Sequence, residues 1–242
     1  MTDLYPVTAV ATGVLGLVAG ALVPRLIGSV PEPEPEPDDP ADGDTEPEQP
    51  KELYADIAAR PALQWTSAVA SGLSAAAMGL MLGWSWALLV VLPLVPIGVA
   101  LAVIDWRTKL LPTRLVAPTY ALTVVTILVA WLADGRDLAD LQRAALGWAL
   151  YGGMFFALWF VYPRGLGYGD VRLSGVLGLA LGWVGWSELL LGIWDGLLLG
   201  GVLGSLLALV TRRRDYPFGP FMLVGALSGV VLGQPVMSAL YG

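Results

Sequence analysis

The feature that most constrains this chain is a succession of apolar stretches. As helices, each is long enough to cross the roughly 30 Å hydrocarbon core of a bilayer, which takes about 17–25 residues. They run over residues 7–23, 62–82, 86–104, 115–132, 144–162, 171–185, 187–210 and 218–240. The sixth is short and could lie partly embedded, so eight spans are expected, with seven as the fallback. The hydrophobic share is 56% and the charged share 14%, against about 45–50% and 25% in an ordinary soluble domain. The expected fold is an all-α polytopic membrane protein of about eight transmembrane helices, with no soluble domain left over. Asp3 is the only charge before the first stretch. That stretch therefore lacks the basic start of a cleavable signal and is expected to be retained.

The net charge of −7 belongs to one segment: residues 31–56 hold 11 of the 20 acids and one of the 13 bases. Residues 31–50 also hold seven of the 18 prolines. Alternating Glu and Pro cannot bury a core and favour an extended, self-repelling tether. The chain thus divides into a first helix (1–30), an acidic Pro-rich linker (31–61) and a seven-helix membrane bundle (62–242). With eight spans, Arg25, Lys51, Arg60, Arg107, Lys109, Arg114, Arg164, Arg172 and Arg212 to Arg214 fall on one side of the membrane. Only Arg136 and Arg143 fall on the other. Basic loops stay in the cytoplasm, so both termini are expected outside a cytoplasmic membrane. The loops after spans one, three, five and seven are expected inside.

The chain has neither His nor Cys. That excludes Ser/His and Cys/His nucleophile pairs, His-based zinc sites and thiolate cages. Neither metal nor cofactor is expected, and acid–base chemistry is left to Asp, Glu, Lys, Arg and Tyr. Acids in hydrocarbon cost about 2.5–3.5 kcal/mol each on insertion scales, so Asp105, Asp170, Glu188 and Asp195 each need a reason.

Asp105 ends span three in VIDWRTKLLPTR (103–114), and Asp170 opens span six in RGLGYGDVRL (164–173). The orientation derived from Lys and Arg alone puts both at the same membrane face and similar depth, where they can meet. Two adjoining carboxylates hold one proton between them. One can then act as base on a water while the other acts as acid toward a carbonyl. On spacing alone, a plainer reading stays open, with both as interfacial acids beside Arg107, Lys109 and Arg172. Gly165, Gly167 and Gly169 weigh against it. They predict a bare loop, able to take positive φ and to admit another backbone closely, as an extended substrate requires.

At these residues the chain resembles the bacterial prepilin peptidases, the GxGD class of intramembrane aspartyl proteases. Three motifs carry the likeness: Asp105 followed by Leu111 and Pro112; Gly167, Tyr168, Gly169 and Asp170 followed by Arg172 and Leu173; and Pro217, Phe218, Gly219 and Pro220 opening the last helix. The resemblance implies eight transmembrane helices and removal of a short basic leader from prepilin-like precursors, after a Gly at the cytoplasmic face. It assigns Asp105 and Asp170 as the catalytic pair. Gly167, Gly169, Pro112, Arg172 and the run Pro217 to Pro220 would shape the loop and substrate path. For that run, simple helix-start chemistry is the alternative reading. Many members also carry a zinc-binding domain with paired cysteines and methylate the new N-terminus. This chain has no Cys, and its first-helix exit, GALVPRLIGSVPEP, is short, so methylation is not expected.

Asp195 falls in the outer half of span seven and is expected to make an interhelical hydrogen bond or face an outer vestibule rather than join the pair. Glu188 is expected to be solvated near the outer interface. Gly196, Gly200 and Gly204, like Gly178 and Gly182, have the small-xxx-small spacing of close helix packing. They are expected to pack within the chain, with a homo-oligomer seam left open. Arg212 to Arg214 fit topology and anionic headgroups; nucleic acid is not expected as a partner. The expected partners are prepilin-like substrates and the lipid bilayer. The alternative function is a proton- or ion-coupled transporter relaying through Asp105, Asp170 and Asp195.

Overall fold

The structure is a computed structural model that describes residues 4–32, 52–135, 137–163, 166–204, 206, 210 and 216–241. All regular structure in the described residues is helical, because backbone groups in lipid must be satisfied within the segment itself. Helix α1 (Pro6–Gly20) breaks before α2 (Val23–Gly28), which has a proline in its first turn. The pair forms the first span. A short helix, α3 (Tyr54–Ala58), buries Tyr54 and Ile57 and packs on α2.

The bundle continues with α4 (Leu63–Leu82), then α5 (Ala87–Val91) and α6 (Leu94–Thr108), which form one span interrupted before α6 at its N-cap, Pro93. It proceeds through α7 (Thr113–Ala133), α8 (Leu138–Val161), α9 (Tyr168–Val184) and α10 (Trp186–Leu198). A π-helical turn (Leu199–Leu203) extends α10, and α11 (Gly219–Tyr241) ends the chain.

Among the described residues, seven helices are long and apolar enough to cross a membrane. The chain is an all-α polytopic membrane protein. The expected sixth span is α9, a helix of 17 residues, about 26 Å long at 1.5 Å per residue. Its position explains its shortness: it packs against α5, α7, α8, α10 and α11 and buries 12 of its residues. A helix surrounded by protein need not match the hydrocarbon thickness.

Small residues let these helices approach, since lipid offers no hydrophobic drive toward association. Gly178 and Gly182 of α9 lie against the α8 backbone at Gly147, where a Cβ on Gly182 would stand 2.7 Å from the Arg143 carbonyl. Gly196 faces α11, and Gly200 and Gly204 take the rings of Phe218 and Tyr216. The expected packing within the chain is therefore present. The π turn widens α10 where those two rings enter.

The two ends of the segment expected as a linker lie among the described residues and meet. The Glu32 carboxylate accepts from the N–H groups of Tyr54 and Ala55, both at 3.0 Å, and so caps α3. The acidic stretch 33–51 itself, with the Arg212 to Arg214 triplet, lies outside the described residues.

Candidate active site

Asp105 stands in the last turn of α6. That helix ends at Lys109 in the left-handed conformation (φ 56°), and the Lys109 N–H donates to the Asp105 carbonyl at 2.8 Å. The following residues leave the helix, and extended Pro112 starts α7 by offering its carbonyl to the N–H groups of Leu115 and Val116. Asp105 is buried, with 4% of its surface exposed. Its Oδ2 accepts the Gly219 N–H at 2.9 Å, from the start of α11, whose unsatisfied N–H groups favour a negative partner.

Asp170 is the third residue of α9. Its Oδ2 accepts the N–H of Gly167 at 3.2 Å, which closes the start of that helix. It too is buried, with 7% exposed, and its Oδ1 has no hydrogen-bond partner. Although 65 positions apart in sequence, the two acids come from α6 and α9 to one end of the bundle: Gly219, whose N–H Asp105 accepts, and Gly169, which precedes Asp170, both pack on Leu111.

Leu111 holds the pair's surroundings together. A Cβ on Gly169 would stand 2.7 Å from Leu111 Cβ, and one on Gly219 would stand 3.5 Å from Leu111 Cδ1 and 2.8 Å from Asp105 Oδ2. The Leu-Pro pair, the GxGD glycine and the PFGP glycine therefore meet around one side chain. Close approach is what these glycines provide. The positive φ expected of the loop is absent at Gly167, which is extended, and at Gly169, which is helical. Gly165 lies outside the described residues.

The other expected residues have distinct places. Phe218 packs against Phe155 of α8 (ring centroids 5.7 Å apart) and against Tyr216 (6.5 Å). It thereby anchors the turn that presents the Gly219 N–H. Pro220 falls in the first turn of α11, as helix-start chemistry expects. It also lines an open groove of about 700 Å³ with Arg60, Ala70, Val99, Trp106 and Arg107. Arg172 lies over the Tyr168 ring, 4.7 Å from its centroid, and donates to Thr113 Oγ1. It ties the start of α9 to that of α7.

Asp195 accepts from Ser228 Oγ at 2.6 Å, the interhelical hydrogen bond expected of it. Glu188 departs from expectation: it is 2% exposed, in the first turn of α10. The cause is close packing of Gly229 and Gly233 of α11 against this turn, which covers the acid. Beside it, Arg143 donates to the carbonyls of Gly182 and Trp183 at 2.7 Å each and pairs with Asp140 at 2.9 Å. Among the described residues there is no cluster of three or more acids that could hold a metal ion.

The sequence reading missed Tyr151 and Phe155 of α8, both fully buried beside the site. Their apolar neighbours make them look like any span residue, and the only signal was a Tyr hydroxyl in mid-span.

Fold and site together define a helical polytopic membrane protein with a buried carboxylate pair near the ends of two helices. The type IV leader peptidase family matches residues 92–233, which include all three motifs, and the chain belongs to that family. It is 29% identical over 182 residues to the prepilin leader peptidase/N-methyltransferase of Stutzerimonas stutzeri, covering 71% of this chain and 59% of that protein. It is 33% identical over 174 residues to the protein of the same name from Dickeya chrysanthemi, covering 67% and 57%. Against that of Escherichia coli it is 31% identical over 131 residues, covering 52% and 56%. The chain thus spans somewhat more than half the length of these curated relatives. No solved structure matches it.

Proposed function

We propose that the protein is an aspartic endopeptidase that removes the leader of prepilin-like precursors, with Asp105 and Asp170 as its catalytic pair. One observation carries this: two buried carboxylates from separate helices converge around Leu111, each with an oxygen held by a glycine N–H. Such a pair is stable with one proton between its members. The ionised member takes a proton from water, and the resulting oxygen attacks the scissile carbonyl carbon. The protonated member gives its proton to the carbonyl oxygen. Collapse breaks the C–N bond, the leaving amine takes up a proton, and the pair returns to its singly protonated state.

Family membership and the names of the relatives support the substrate class. Arg107, Lys109 and Arg172 lie at the helix ends that carry the pair, Arg114 opens the next helix, and Arg60 lines a groove with Arg107. This supports a site at the cytoplasmic face of the plasma membrane. The proposal covers leader cleavage and leaves methyl transfer aside.

The test is cleavage of a co-purified pilin-like precursor, with the cut located by mass spectrometry. Asp105→Asn and Asp170→Asn, each inserted normally, should lose at least about a thousandfold in rate. The wild-type rate should be bell-shaped in pH, because both the fully protonated and the fully ionised pair lack one partner. Cleavage by either Asn variant at the wild-type rate would refute the mechanism.

A further inference from the structure

The groove that Pro220 lines with Arg60 and Arg107 does not end at the surface. It shares Ala70 of α4, Val99 and Ala102 of α6 and Pro220 of α11 with an inner cavity of about 260 Å³, which continues between α4, α6, α9 and α11 to Met78 and Val230. The two form one slot. From Leu63 to Met78 it follows 15 residues of α4, about 22 Å at 1.5 Å per residue. That exceeds the roughly 15 Å of hydrocarbon in one leaflet.

The slot has a polar mouth and an apolar length. Past Thr66, whose hydroxyl donates to the Ala62 carbonyl of its own helix at 2.9 Å, Ser74 is the one polar side chain along the apolar length among the described residues. At the mouth stand Arg60 and Arg107, both exposed, with exposed Trp106 beside them. One carboxylate, that of Glu52, answers both cations. Its Oε1 accepts from Nε and Nη2 of Arg60, and its Oε2 lies 3.9 Å from Nη1 of Arg107. Two guanidiniums, each with five N–H donors, thus share one acid, and among these three groups a positive charge is left over.

These features sort the occupants. Helices α4, α6 and α11 touch one another pairwise, and packed helices stand about 8–10 Å apart, so a further helix, itself about 10 Å across, does not enter between them. An extended peptide is thin enough, but its N–H and C=O groups would go unpaired against aliphatic side chains. A basic segment would also be repelled at the mouth. An acyl chain carries no polar group, and an anionic headgroup meets the two guanidiniums.

We infer that the slot binds an anionic phospholipid: its phosphate sits at Arg60 and Arg107 in competition with Glu52, and one acyl chain runs past Ala70 and Ala102 into the inner cavity. Basic pockets between helix ends recognise such headgroups, and an indole ring such as that of Trp106 settles at headgroup depth. The rim adjoins the aspartate pair, because Trp106 and Arg107 follow Asp105, and Pro220 follows Gly219, whose N–H Asp105 accepts. The lipid therefore packs on the turn that holds Asp105. This goes beyond the peptidase reading and is tested by binding rather than cleavage, so either can fail without the other.

The test uses the full chain, purified in mild detergent, titrated with phosphatidylglycerol or phosphatidylcholine of the same chains and followed by native mass spectrometry. One phosphatidylglycerol should bind at least about tenfold more tightly than phosphatidylcholine. Arg60→Gln combined with Arg107→Gln should remove that preference, while the charge-matched pair Arg25→Gln with Arg114→Gln keeps it. Glycerol 3-phosphate, which has the phosphate without the chain, should not compete even at about a hundredfold excess. Ala70→Phe, which plugs the junction of groove and cavity, should weaken phosphatidylglycerol binding about tenfold. Equal binding of the two lipids, equal losses in the two arginine pairs, competition by glycerol 3-phosphate, or unchanged affinity in Ala70→Phe would each overturn the inference. If Ala70→Phe fails to assemble, Val103→p-benzoylphenylalanine, irradiated in membranes that also hold a pilin-like precursor, answers the same question. An adduct of phospholipid mass is expected, and an adduct with the precursor in its place would overturn the inference by making the slot a substrate path.

Discussion

Replacing Gly219 by alanine tests the site most directly. The added Cβ would stand 2.8 Å from Asp105 Oδ2, 3.4 Å from its Cγ and 3.5 Å from Leu111 Cδ1, and contacts under 3.0 Å are essentially never tolerated by a real Cβ. The carboxylate must retreat, and retreat breaks its 2.9 Å bond from the Gly219 N–H. A hydrogen bond to a charged group contributes about 1.5–3 kcal/mol, so cleavage should slow about ten- to a hundredfold. The glycines supply a graded series. Gly153→Ala meets nothing within 4 Å and should cleave normally, with a small gain in helix stability. Gly167→Ala would place its Cβ 3.2 Å from Asp170 Oδ2, a distance a small shift absorbs, and should lose less than about tenfold. Gly169→Ala would place its Cβ 2.7 Å from Leu111 Cβ and should also slow cleavage, by displacing the side chain that packs at Gly219 beside Asp105. The assay is the single-turnover rate on a pilin-like precursor, read by gel shift, with thermal midpoints in detergent as the folding control. Normal cleavage by Gly219→Ala would refute the reasoning. Equal losses at 153 and 219 would show that the effect is general disruption of the bundle.

Asp195→Asn and Ser228→Ala each disturb the 2.6 Å bond between α10 and α11. They should cost about 1 kcal/mol of stability while keeping cleavage close to wild type. Proton flux through wild-type proteoliposomes that Asp195→Asn abolishes would instead favour a relay of carboxylates. Arg143→Met keeps the apolar stem but strips the donors from the Gly182 and Trp183 carbonyls at the end of α9. The thermal midpoint should drop by an amount equivalent to about 2 kcal/mol, with cleavage preserved at low temperature. An unchanged midpoint would show that the cap contributes nothing.

Much of the site was legible before any coordinates. Asp105 and Asp170 stood out because an acid at the edge of hydrocarbon needs a reason, and the distribution of Lys and Arg put both at one end of the bundle. The Leu-Pro pair and PFGP were visible as motifs, but nothing in their spacing indicated that the GxGD and PFGP glycines would both close on Leu111. The GxGD glycines were legible as close-approach positions, whereas the positive φ expected there does not occur: the start of α9 reaches the Leu111 loop with ordinary backbone angles. Glu188 was misjudged for a related reason. Burial of a polar residue depends on which helix lies over it, and Gly229 and Gly233 of α11 are more than 40 positions away.

By itself the sequence determined what is local or additive: the apolar lengths that make spans, the charge asymmetry that implies an orientation, the absence of His and Cys that leaves chemistry to carboxylates, and membership of a family through short motifs. The tertiary structure decided which atoms face each other. It made the shortest apolar stretch the central helix α9, turned the glycine-rich seams inward, placed a backbone N–H on each catalytic candidate, and buried the Tyr151 hydroxyl against Gly196. The physical reason is range. Hydropathy and charge act on each segment against the bilayer and can be summed along the chain, but hydrogen bonds and van der Waals contacts act over a few ångströms. Only the packed bundle brings α6, α8, α9 and α11 within that distance.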